Sequence, residues 1–363
     1  MEESHSFPVV KVSGSHYEIG FQVGTKCKDI VQAALNNFKS KVEKRIAWKR
    51  IVLETKKYLP YAEDFCPELL EEVKGCAEGA QVSFEEYFAL YCSDTISDVI
   101  PWSASSTIPN ACTDIAVSGE LTSDRSVLVG HNNDSTGEEF TFLLDAKPNN
   151  KPRFFAVVHG GVFPTIGFNS AGISITGNHL TPTDMRIGVP LGFTVRKVLS
   201  AESIGKAMEF ALPEKRASSY NQVVSSADGE IYSLEGSATD FEAIYAINGY
   251  IVHTNHYVTE KMKKFEKNVN KTFHSIVRYN RALKLLKKGI DNRNISIDYF
   301  KKILTDHVNF PYSICRHKSG EVNGAGEIKT IYSAIIDLTH LTLWLCRGNP
   351  CEGEYKEYRM TEM

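Results

Sequence analysis

The chain has 363 residues, 42% of them hydrophobic, and a formal net charge of −3. This length is enough for one large α/β domain or two ordinary domains. A charge so near neutrality gives no electrostatic reason to expect a nucleic acid or an anionic membrane as a partner. The sequence shows no long apolar run typical of a membrane span and no signal-peptide pattern, so we expect a cytoplasmic protein.

Residues up to about 100 are predicted to be mostly helical. The segment HYEIGFQVGTKCKDIVQAALNNFKSKV carries apolar residues at helical spacing, and Gly20 and Gly24 within it indicate a close backbone contact. PELLEEVKGCAEGA begins with Pro67, a residue typical of a first helical turn, and Ser83 is a typical N-cap for SFEEYFALY. The stretch from Ile100 to Ala111 is rich in serine and proline and carries no charge, which predicts a linker.

Beyond this linker the pattern changes to strands. CTDIAVS and SVLVGHN are predicted to form two strands joined by a turn around Glu120 to Arg125. Further strands are predicted in RFFAVVH, TIGFNS, GISITG, NQVVSSA, EIYSLEG and FEAIYAINGYIVHTNH, and a closing hairpin in IYSAIIDLTH and LTLWLCRG. Helices are predicted from about Phe193 to Leu212 and in FHSIVRYNRALKLLKK and IDYFKKIL. Because strands and helices come in blocks, without regular βαβ alternation, the order predicts antiparallel sheets covered by helices.

The eight cysteines do not suggest a metal centre or a cofactor. None forms a C-x-x-C pair, so neither a zinc ribbon nor a redox dithiol is indicated. His253 and His256 lie three residues apart on a predicted strand, where their side chains point to opposite faces. We therefore expect no metal and no cofactor, and most thiols are expected to pack as small hydrophobic groups.

Cys112 differs from the other cysteines because it follows the linker and begins a strand. A thiol in this place can attack the carbonyl carbon of the preceding peptide bond, at Ala111, whose small side chain leaves room for the intermediate. Hydrolysis of the resulting thioester would free Cys112 with its own α-amine. That amine has a reference pKa of about 7.7–8.0 and can serve as the general base for the thiol beside it. The pattern therefore indicates a self-made N-terminal nucleophile, although ordinary core packing remains an alternative for any one cysteine.

Two later patches place polar residues near strand ends. GHNND ends the return strand of the hairpin that starts at Cys112, so Asn133 or Asp134 is expected beside the nucleophile. A carboxylate there could hold the α-ammonium, whereas the alternative is a plain polar turn. VHTNH also ends an apolar strand, and Asn255 could donate an amide N–H to an oxyanion.

Two further patches are candidates for substrate contacts. GFNSAGIS places Asn169 in a predicted turn between strands, for which a structural use is the plain alternative. NFPYSICRH brings Ser313 and Arg316 together, and the arginine could clamp a carboxylate or form an ordinary ion pair.

Five segments together resemble one known family. GSHYEIGFQVG, ACTDIAV with GHNND, IGFNSAGISITGNHL, VHTNH and NFPYSICR occur in this order over roughly residues 14 to 317. They look like the fungal acyl-coenzyme A:6-aminopenicillanic acid acyltransferase family, also treated as the C45 autoproteolytic peptidases. The resemblance implies an N-terminal nucleophile (Ntn) hydrolase fold, an α+β four-layer αββα sandwich with two antiparallel sheets. It also implies an inactive precursor that is cut between Ala111 and Cys112.

The resemblance assigns roles to individual residues. It implies that Cys112 is the nucleophile, that Asp134 is the acidic residue near its amine and that Asn255 is an oxyanion donor. It implies that residues 1–111 form a helical segment that is cut off but stays bound, as a heterodimer, to the catalytic segment 112–363. Substrate contacts are expected from Thr113, Asn133, Asn169, Ser313 and Arg316. The expected substrate is a small N-acyl amide or an acyl-coenzyme-A-like thioester, with no nucleic acid, membrane, metal or cofactor as a partner.

Three positions depart from the family pattern. Ala111 stands where a glycine often precedes the cysteine, Asp114 where a hydroxyl residue often follows Thr113, and Asn133 where an aromatic residue often precedes the aspartate. These departures argue against assuming a penicillin substrate. Because the sequence gives no sign of a β-lactam biosynthetic context, we favour hydrolysis of N-acyl amides. Two alternatives stay open: an unprocessed binding protein on the same scaffold, and a Cys-His thiol enzyme using His131 or His256.

Overall fold

The computed structural model describes residues 6–44, 46–93, 95, 111–136, 138–267, 269, 272–319 and 328–360. Its helices are α1 (His16–Lys26), α2 (Lys28–Glu43), α3 (Trp48–Thr55), α4 (Leu59–Phe65), α5 (Pro67–Gly79), α6 (Phe84–Tyr91), α7 (Leu191–Val198), α8 (Ile204–Ala211), α9 (Glu260–Lys263), α10 (Phe273–Asp291) and α11 (Ile297–Leu304). Its strands are β1 (Val9–Gly14), β2 (Ala111–Val117), β3 (Leu128–Ser135), β4 (Phe142–Pro148), β5 (Phe154–His159), β6 (Phe163–Asn169), β7 (Ile173–Asn178), β8 (Asn221–Ser226), β9 (Ile231–Gly236), β10 (Phe241–Tyr245), β11 (Tyr250–His253), β12 (Lys329–Asp337), β13 (Thr342–Arg347) and β14 (Tyr355–Arg359). Most of the predicted linker lies outside the described residues.

The strands form two sheets. The larger sheet has eight strands in the order β1-β4-β5-β6-β7-β8-β9-β10, and the smaller has six in the order β11-β2-β3-β12-β13-β14. Neighbouring strands are antiparallel except β1, which pairs in parallel with β4 at the edge of the larger sheet. The two-sheet arrangement agrees with the prediction, and the parallel edge pair is an addition to it.

The two sheets and two layers of helices stack as four layers, and three apolar clusters fill the spaces between them. The first packs the N-terminal helices together with α7 and α8 against one face of the larger sheet, where Phe154 and Ile175 are buried. The second fills the space between the sheets, with Phe168 from the larger sheet and Ile336 from the smaller. The third packs α10 and α11 against the outer face of the smaller sheet, around Phe300. Because alternate residues of a strand face opposite sides, each sheet can be buried on both faces. The predicted α+β sandwich of αββα layers is confirmed.

Helices α1 and α5 approach each other closely through glycines. A Cβ atom added at Gly20 would collide with the backbone carbonyl oxygen of Glu72, and one at Gly24 with that of Cys76. The predicted close backbone contact is confirmed, and only glycine fits this crossing. Pro67 begins α5 as predicted, and the predicted N-cap Ser83 accepts a hydrogen bond from the backbone N–H of Glu86.

Some elements differ from the prediction. The single helix expected over Phe193 to Leu212 is two helices, α7 and α8, the second capped by Ser203. FEAIYAINGYIVHTNH is not one strand: β10 belongs to the larger sheet and β11 to the smaller, and the chain turns between them at Gly249, whose φ is +77°. Strands β1, β4 and β14 were not predicted. β1 adds a strand from residues 1–111 to the larger sheet, so backbone pairing joins these residues to β4, later in the chain.

No helix in the described part of the chain is both long and apolar enough to cross a lipid bilayer.

Candidate functional site

Cys112 lies near the start of β2, an interior strand of the smaller sheet. β2 pairs with β3 so that Cys112 faces Asn133 and Ala111 faces Asp134. The hairpin therefore brings both predicted polar residues beside the nucleophile position. The Asn133 Nδ2 atom lies 3.8 Å from the Cys112 sulfur, and both side chains line one cavity.

The backbone of Cys112 is held on both sides. Its N–H donates to Asn255 Oδ1 at 2.8 Å, and its carbonyl oxygen accepts from Arg278 Nη1 at 2.5 Å. Asn255 follows the end of β11, the other neighbour of β2, whereas Arg278 projects from α10. Two different elements thus fix the atoms on either side of the Cys112 α-carbon.

The contacts of Asn255 define which way its amide points. Its Oδ1 accepts from both Cys112 N and Arg278 Nη2, the latter at 2.8 Å, while its Nδ2 donates to the carbonyl oxygen of His179 at 3.1 Å. An amide nitrogen could not accept either of the first two bonds, so this orientation is the one the network requires. One N–H of Nδ2 remains beyond the bond to His179, as an oxyanion donor would need.

A buried charged cluster lies behind Cys112. Arg278 Nη1 also donates to the hydroxyl of Thr113 at 3.0 Å, and Asp134 Oδ1 accepts from the hydroxyl of Thr330 at 2.7 Å. Burial raises the pKa of Asp134, although Arg278 and Arg316 oppose this by attraction to the carboxylate. Burial beside Arg316 lowers the pKa of Arg278 to about 10, with the nearby Asp134 working in the opposite direction. The cluster therefore keeps two cations next to one carboxyl group at the head of β2.

A second pair of charged groups lies on the thiol side of the hairpin. His131 Nδ1 and Asp114 Oδ1 are 2.7 Å apart, and both side chains are almost fully buried. Burial alone would lower the pKa of His131, but the Asp114 carboxylate, with a smaller effect of Cys112, raises it to about 10. The Nε2 atom of His131 has no hydrogen-bond partner within the described residues, and the ring lines the cavity with Cys112. The site therefore places an imidazolium close to the sulfur.

The cavity contains about 950 Å³ of unfilled space, measured out to its open side. Its apolar wall consists of Leu90, Val162, Phe163, Ile175, Leu191 and Val195. Thr165, Thr176, His179, Tyr220 and Gln222 add polar groups to the same wall. A mostly apolar wall with a few polar groups and one nucleophile is typical of a small-molecule site.

A buried ion pair joins the two sheets next to Asn255. His253 Nε2 on β11 lies 2.8 Å from Glu235 Oε1 on β9, and its Nδ1 lies 3.0 Å from Asn178 Oδ1 on β7. Glu235 also accepts from the backbone N–H groups of Val258 and Thr259. These bonds fix the chain on either side of Asn255 and so help to hold its amide in place.

His253 ends β11 and His256 lies beyond it, so the two histidines are not on one strand as predicted, and they have different partners. His256 Nδ1 lies 2.8 Å from the hydroxyl of Ser275, and burial lowers the pKa of His256 to about 4. His256 does not line the cavity of Cys112, whereas His131 does.

The structure separates the predicted substrate-binding residues. Asn133 lines the cavity, whereas Thr113 and Arg316 belong to the charged cluster behind β2. Asn169 lies elsewhere: its Nδ2 donates to the carbonyls of Leu199 and Ala201, and its Oδ1 accepts from two backbone N–H groups of its own turn. The Asn169 amide is therefore used to stabilise the structure around its turn, which was the alternative to a substrate contact.

Ser313 is also outside the cavity lining. Its hydroxyl donates to the carbonyl oxygen of Cys315 at 2.6 Å and is fully buried. Its contacts organise the loop that carries Arg316, without reaching Cys112.

Two residues of the site were not predicted as members of it. Arg278 lies on the buried face of α10 together with His274, Ala282 and Leu286, that is, at positions that apolar residues normally occupy. An arginine on the apolar face of a predicted helix indicates a buried hydrogen-bond or charge partner, and this pattern could be read from the sequence. Asp114 was noted only as a departure from the family; its partner His131 is visible once the strand register is known.

Comparisons with known proteins show the family. Residues 121–352 match the family model described as acyl-coenzyme A:6-aminopenicillanic acid acyl-transferase, a region that begins after Cys112. The 40 kDa form of acyl-coenzyme A:6-aminopenicillanic-acid-acyltransferase from Emericella nidulans is 25% identical over 338 residues, which cover 90% of this chain and 89% of that protein. The β-alanyl-dopamine/carcinine hydrolase of Drosophila melanogaster is 24% identical over 222 residues, covering 55% of this chain and 56% of that protein.

Solved structures that resemble the chain are more distant. A mutant of the conjugated bile acid hydrolase from Clostridium perfringens has a TM-score of 0.47 at 13% identity, covering 69% of this chain and 97% of that one. Penicillin V acylase from Agrobacterium tumefaciens has a TM-score of 0.43 at 14% identity, covering 69% and 87%. From the family match over most of its length, the chain belongs to the acyl-coenzyme A:6-aminopenicillanic acid acyltransferase family.

Proposed function

We propose that the protein is an amidohydrolase or acyltransferase that cuts its own chain before Cys112 and then uses that residue as an N-terminal nucleophile. The observation that carries this proposal is the double placement of Cys112. Its side chain lines the cavity, while its backbone nitrogen lies 2.8 Å from Oδ1 of Asn255, which follows the end of β11. Cys112 would therefore supply both a thiol nucleophile at the cavity and, beside it, a nitrogen that a hydrogen bond keeps in position.

The first reaction is the cut between Ala111 and Cys112. The sulfur attacks the carbonyl carbon of Ala111, the C–N bond breaks as the Cys112 nitrogen takes up a proton, and a thioester to residues 1–111 remains. Water then hydrolyses the thioester, which gives the carboxylate of Ala111 and the free thiol and amine of Cys112. Ala111 is fully buried and lies opposite Asp134, and the new α-ammonium would form beside Asn255 Oδ1, which the Cys112 nitrogen already contacts.

Turnover repeats the same chemistry on a bound substrate. The Cys112 amine takes the thiol proton while the sulfur attacks the acyl carbon, and the developing oxyanion accepts hydrogen bonds from an amide N–H. The Nδ2 group of Asn133, 3.8 Å from the sulfur, and the remaining N–H of Asn255 Nδ2 are the candidate amide donors. The ammonium then protonates the leaving amine, the C–N bond breaks, and water or a second amine releases the acyl group from sulfur.

The cavity supports a small acyl compound as the substrate. Its apolar wall, including Phe163 and Leu191, can bury an acyl chain, whereas Tyr220 and Gln222 offer polar groups to the amine part. One relative is named an acyltransferase and another a hydrolase, so both water and amines are acceptors to be tested. We favour hydrolysis of N-acyl amides. A cytoplasmic location and a heterodimer of the cut segments stay predictions.

A second mechanism is favoured by one specific observation, the Asp114–His131 pair. With Nδ1 bound to the carboxylate and Nε2 without a hydrogen-bond partner among the described residues, His131 could serve an uncut Cys112 in the manner of a Cys-His-Asp triad. The high pKa of His131 argues against it as a base, because the ring would already be protonated at neutral pH. In the favoured mechanism this imidazolium instead stabilises negative charge that develops on the sulfur.

The two mechanisms differ in the state of the chain and in the role of His131. We expect wild type to be cut and to release amine from N-acyl amides, with the acyl group found by mass on the fragment that begins at Cys112. Cys112→Ala should be uncut and inactive, and Cys346→Ala, which removes a buried thiol elsewhere, should behave as wild type. Activity of an uncut wild-type chain, lost in His131→Asn, would support the triad instead. A folded wild type that is neither cut nor active would indicate a binding protein.

A further inference from the structure

Four side chains outside the catalytic cavity converge on one point. His307, Cys315 and His317 come from the chain after α11, and Cys351 comes from the connection between β13 and β14. One nitrogen or sulfur atom of each lies within 4.8 Å of the corresponding atom of every other. Two thiols and two imidazoles from three separated stretches of chain form the cluster.

Four of the six ligand separations fit a tetrahedral metal ion, and the two between His307 and the sulfurs are no longer than 4.8 Å. Zinc bonds of about 2.3 Å to sulfur and 2.0–2.1 Å to nitrogen imply ligand separations of roughly 3.8 Å between sulfurs, 3.5 Å between sulfur and nitrogen, and 3.3 Å between nitrogens. The two sulfurs, of Cys315 and Cys351, are 3.5 Å apart, and the Nε2 atoms of His307 and His317 are 3.0 Å apart. His317 Nε2 lies 3.7 Å from the first sulfur and 3.2 Å from the second. All four values are within about half an ångström of the tetrahedral ones.

The groups around the cluster form a second, independent observation. His317 points Nε2 at the other three ligands, and its Nδ1 lies 3.6 Å from Glu352 Oε1. A carboxylate on the far nitrogen of a ligating histidine is a recurring support of zinc sites. The amide Nδ2 of Asn349 lies 3.6 Å from the Cys315 sulfur, as a donor to a thiolate would. Cys315 is buried, whereas His307 and Cys351 are exposed, so an ion has a path from solvent.

We propose that His307, Cys315, His317 and Cys351 bind one structural zinc ion. Two thiolates and two neutral imidazoles suit zinc, and four protein ligands leave no open position for a substrate or water. A disulfide between the two cysteines would explain neither the two histidines nor the carboxylate behind one of them. No metal was expected from the sequence, because Cys351 lies 34 residues beyond His317 and the four residues do not form a recognised ligand spacing.

The ion would also hold one part of the candidate active site. Its ligands Cys315 and His317 flank Arg316, whose backbone N–H donates to the hydroxyl of Thr330 at 2.9 Å. That hydroxyl in turn donates to Asp134. The site would thus tie the loop that carries Arg316 to the connection between β13 and β14. Its role is to position this arginine and to stabilise the fold.

The test is the metal content of the full chain, purified without a metal-affinity tag or chelator, by inductively coupled plasma mass spectrometry. We expect about one zinc per chain in wild type and loss of it in His307→Gln and in Cys351→Ser. Both side chains are exposed, so these variants should fold, as circular dichroism can check. The matched controls His340→Gln and Cys346→Ser, which remove an imidazole and a thiol outside the cluster, should keep the zinc. Wild type loaded with cobalt(II) should show the thiolate-to-metal absorption of a tetrahedral site, and the two cluster variants should lack it.

Three results would overturn the proposal. The first is a wild type that holds no zinc as purified and takes up none from added zinc chloride after desalting. The second is zinc that stays bound in both cluster variants, because it would then lie elsewhere. The third is a native disulfide between Cys315 and Cys351 in metal-free protein, seen as a mass lower by two hydrogen atoms under non-reducing conditions. Each readout is independent of catalytic activity.

Discussion

Replacing Arg278 by methionine is the sharpest perturbation of the site that leaves the thiol in place. The guanidinium donates to the carbonyl oxygen of Cys112, the hydroxyl of Thr113 and the amide oxygen of Asn255. Hydrogen bonds from a charged donor contribute about 1.5–3 kcal/mol each, so losing the bonds to Cys112 and Asn255 costs roughly 3–6 kcal/mol. Methionine is uncharged, so burying it costs less desolvation free energy than burying the guanidinium, which offsets part of the lost hydrogen-bond energy. We expect the free energy of unfolding to fall by about 3–5 kcal/mol, as when one partner of a buried pair is removed.

Urea unfolding followed by tryptophan fluorescence measures this loss, and the same preparations report the fraction of cut chain. Lys284→Met is the matched control, because it removes a positive charge from the same helix at an exposed position. The control should stay within about 0.5 kcal/mol of wild type, and it should be cut normally. Arg278→Met should be cut much less, since Asn255 and the Cys112 carbonyl lose their common donor. An Arg278→Met variant as stable and as fully cut as the control would refute this account of the network.

Three further predictions follow from other contacts. Asp114→Asn removes the carboxylate that raises the pKa of His131 to about 10 from its ordinary 6.5; wild type should therefore lose stability as pH rises between these values, and urea unfolding of the variant should lack that slope. Burial opposes ionisation of Glu235, but His253 holds the pKa of Glu235 below its ordinary 4.5. Glu235→Gln should therefore lower the melting temperature at neutral pH and weaken the loss of stability on acidification below about 4.5. A variant as acid-sensitive as wild type would contradict this. Val195→Trp places a larger side chain in the apolar wall and narrows the cavity, so kcat/KM should fall roughly tenfold more for long than for short acyl amides. An equal fall for both would argue against binding of the acyl chain at this wall.

The hairpin that carries Cys112 could be predicted from the sequence because its determinants are local. Short apolar runs on either side of a polar turn define β2 and β3, and an antiparallel return brings Asn133 opposite Cys112. The pairing of Gly20 and Gly24 with a neighbouring helix was also foreseeable, since two glycines one turn apart leave a flat helix surface.

Other parts depend on contacts between distant stretches of chain. β1 pairs with β4, more than a hundred residues later, and its short run VVKVSG has no feature that separates it from a loop. Arg278 has a recognisable position on the buried face of its helix, but its partners lie in β2 and after β11. The metal ligands combine three stretches, so only folding brings them together. Asn169, by contrast, was predicted to contact substrate, but its side-chain oxygen accepts a hydrogen bond within its own turn.

The most direct test of the central claim is the denatured mass of the purified wild-type protein, measured beside Cys112→Ala. We predict two fragments from wild type, residues 1–111 and 112–363, and one full-length chain from the variant. Native size-exclusion chromatography of wild type should keep both fragments together, because β1 is paired within the larger sheet. A wild type that stays one full-length chain and hydrolyses N-acyl amides would contradict the claim that Cys112 acts as a self-made N-terminus.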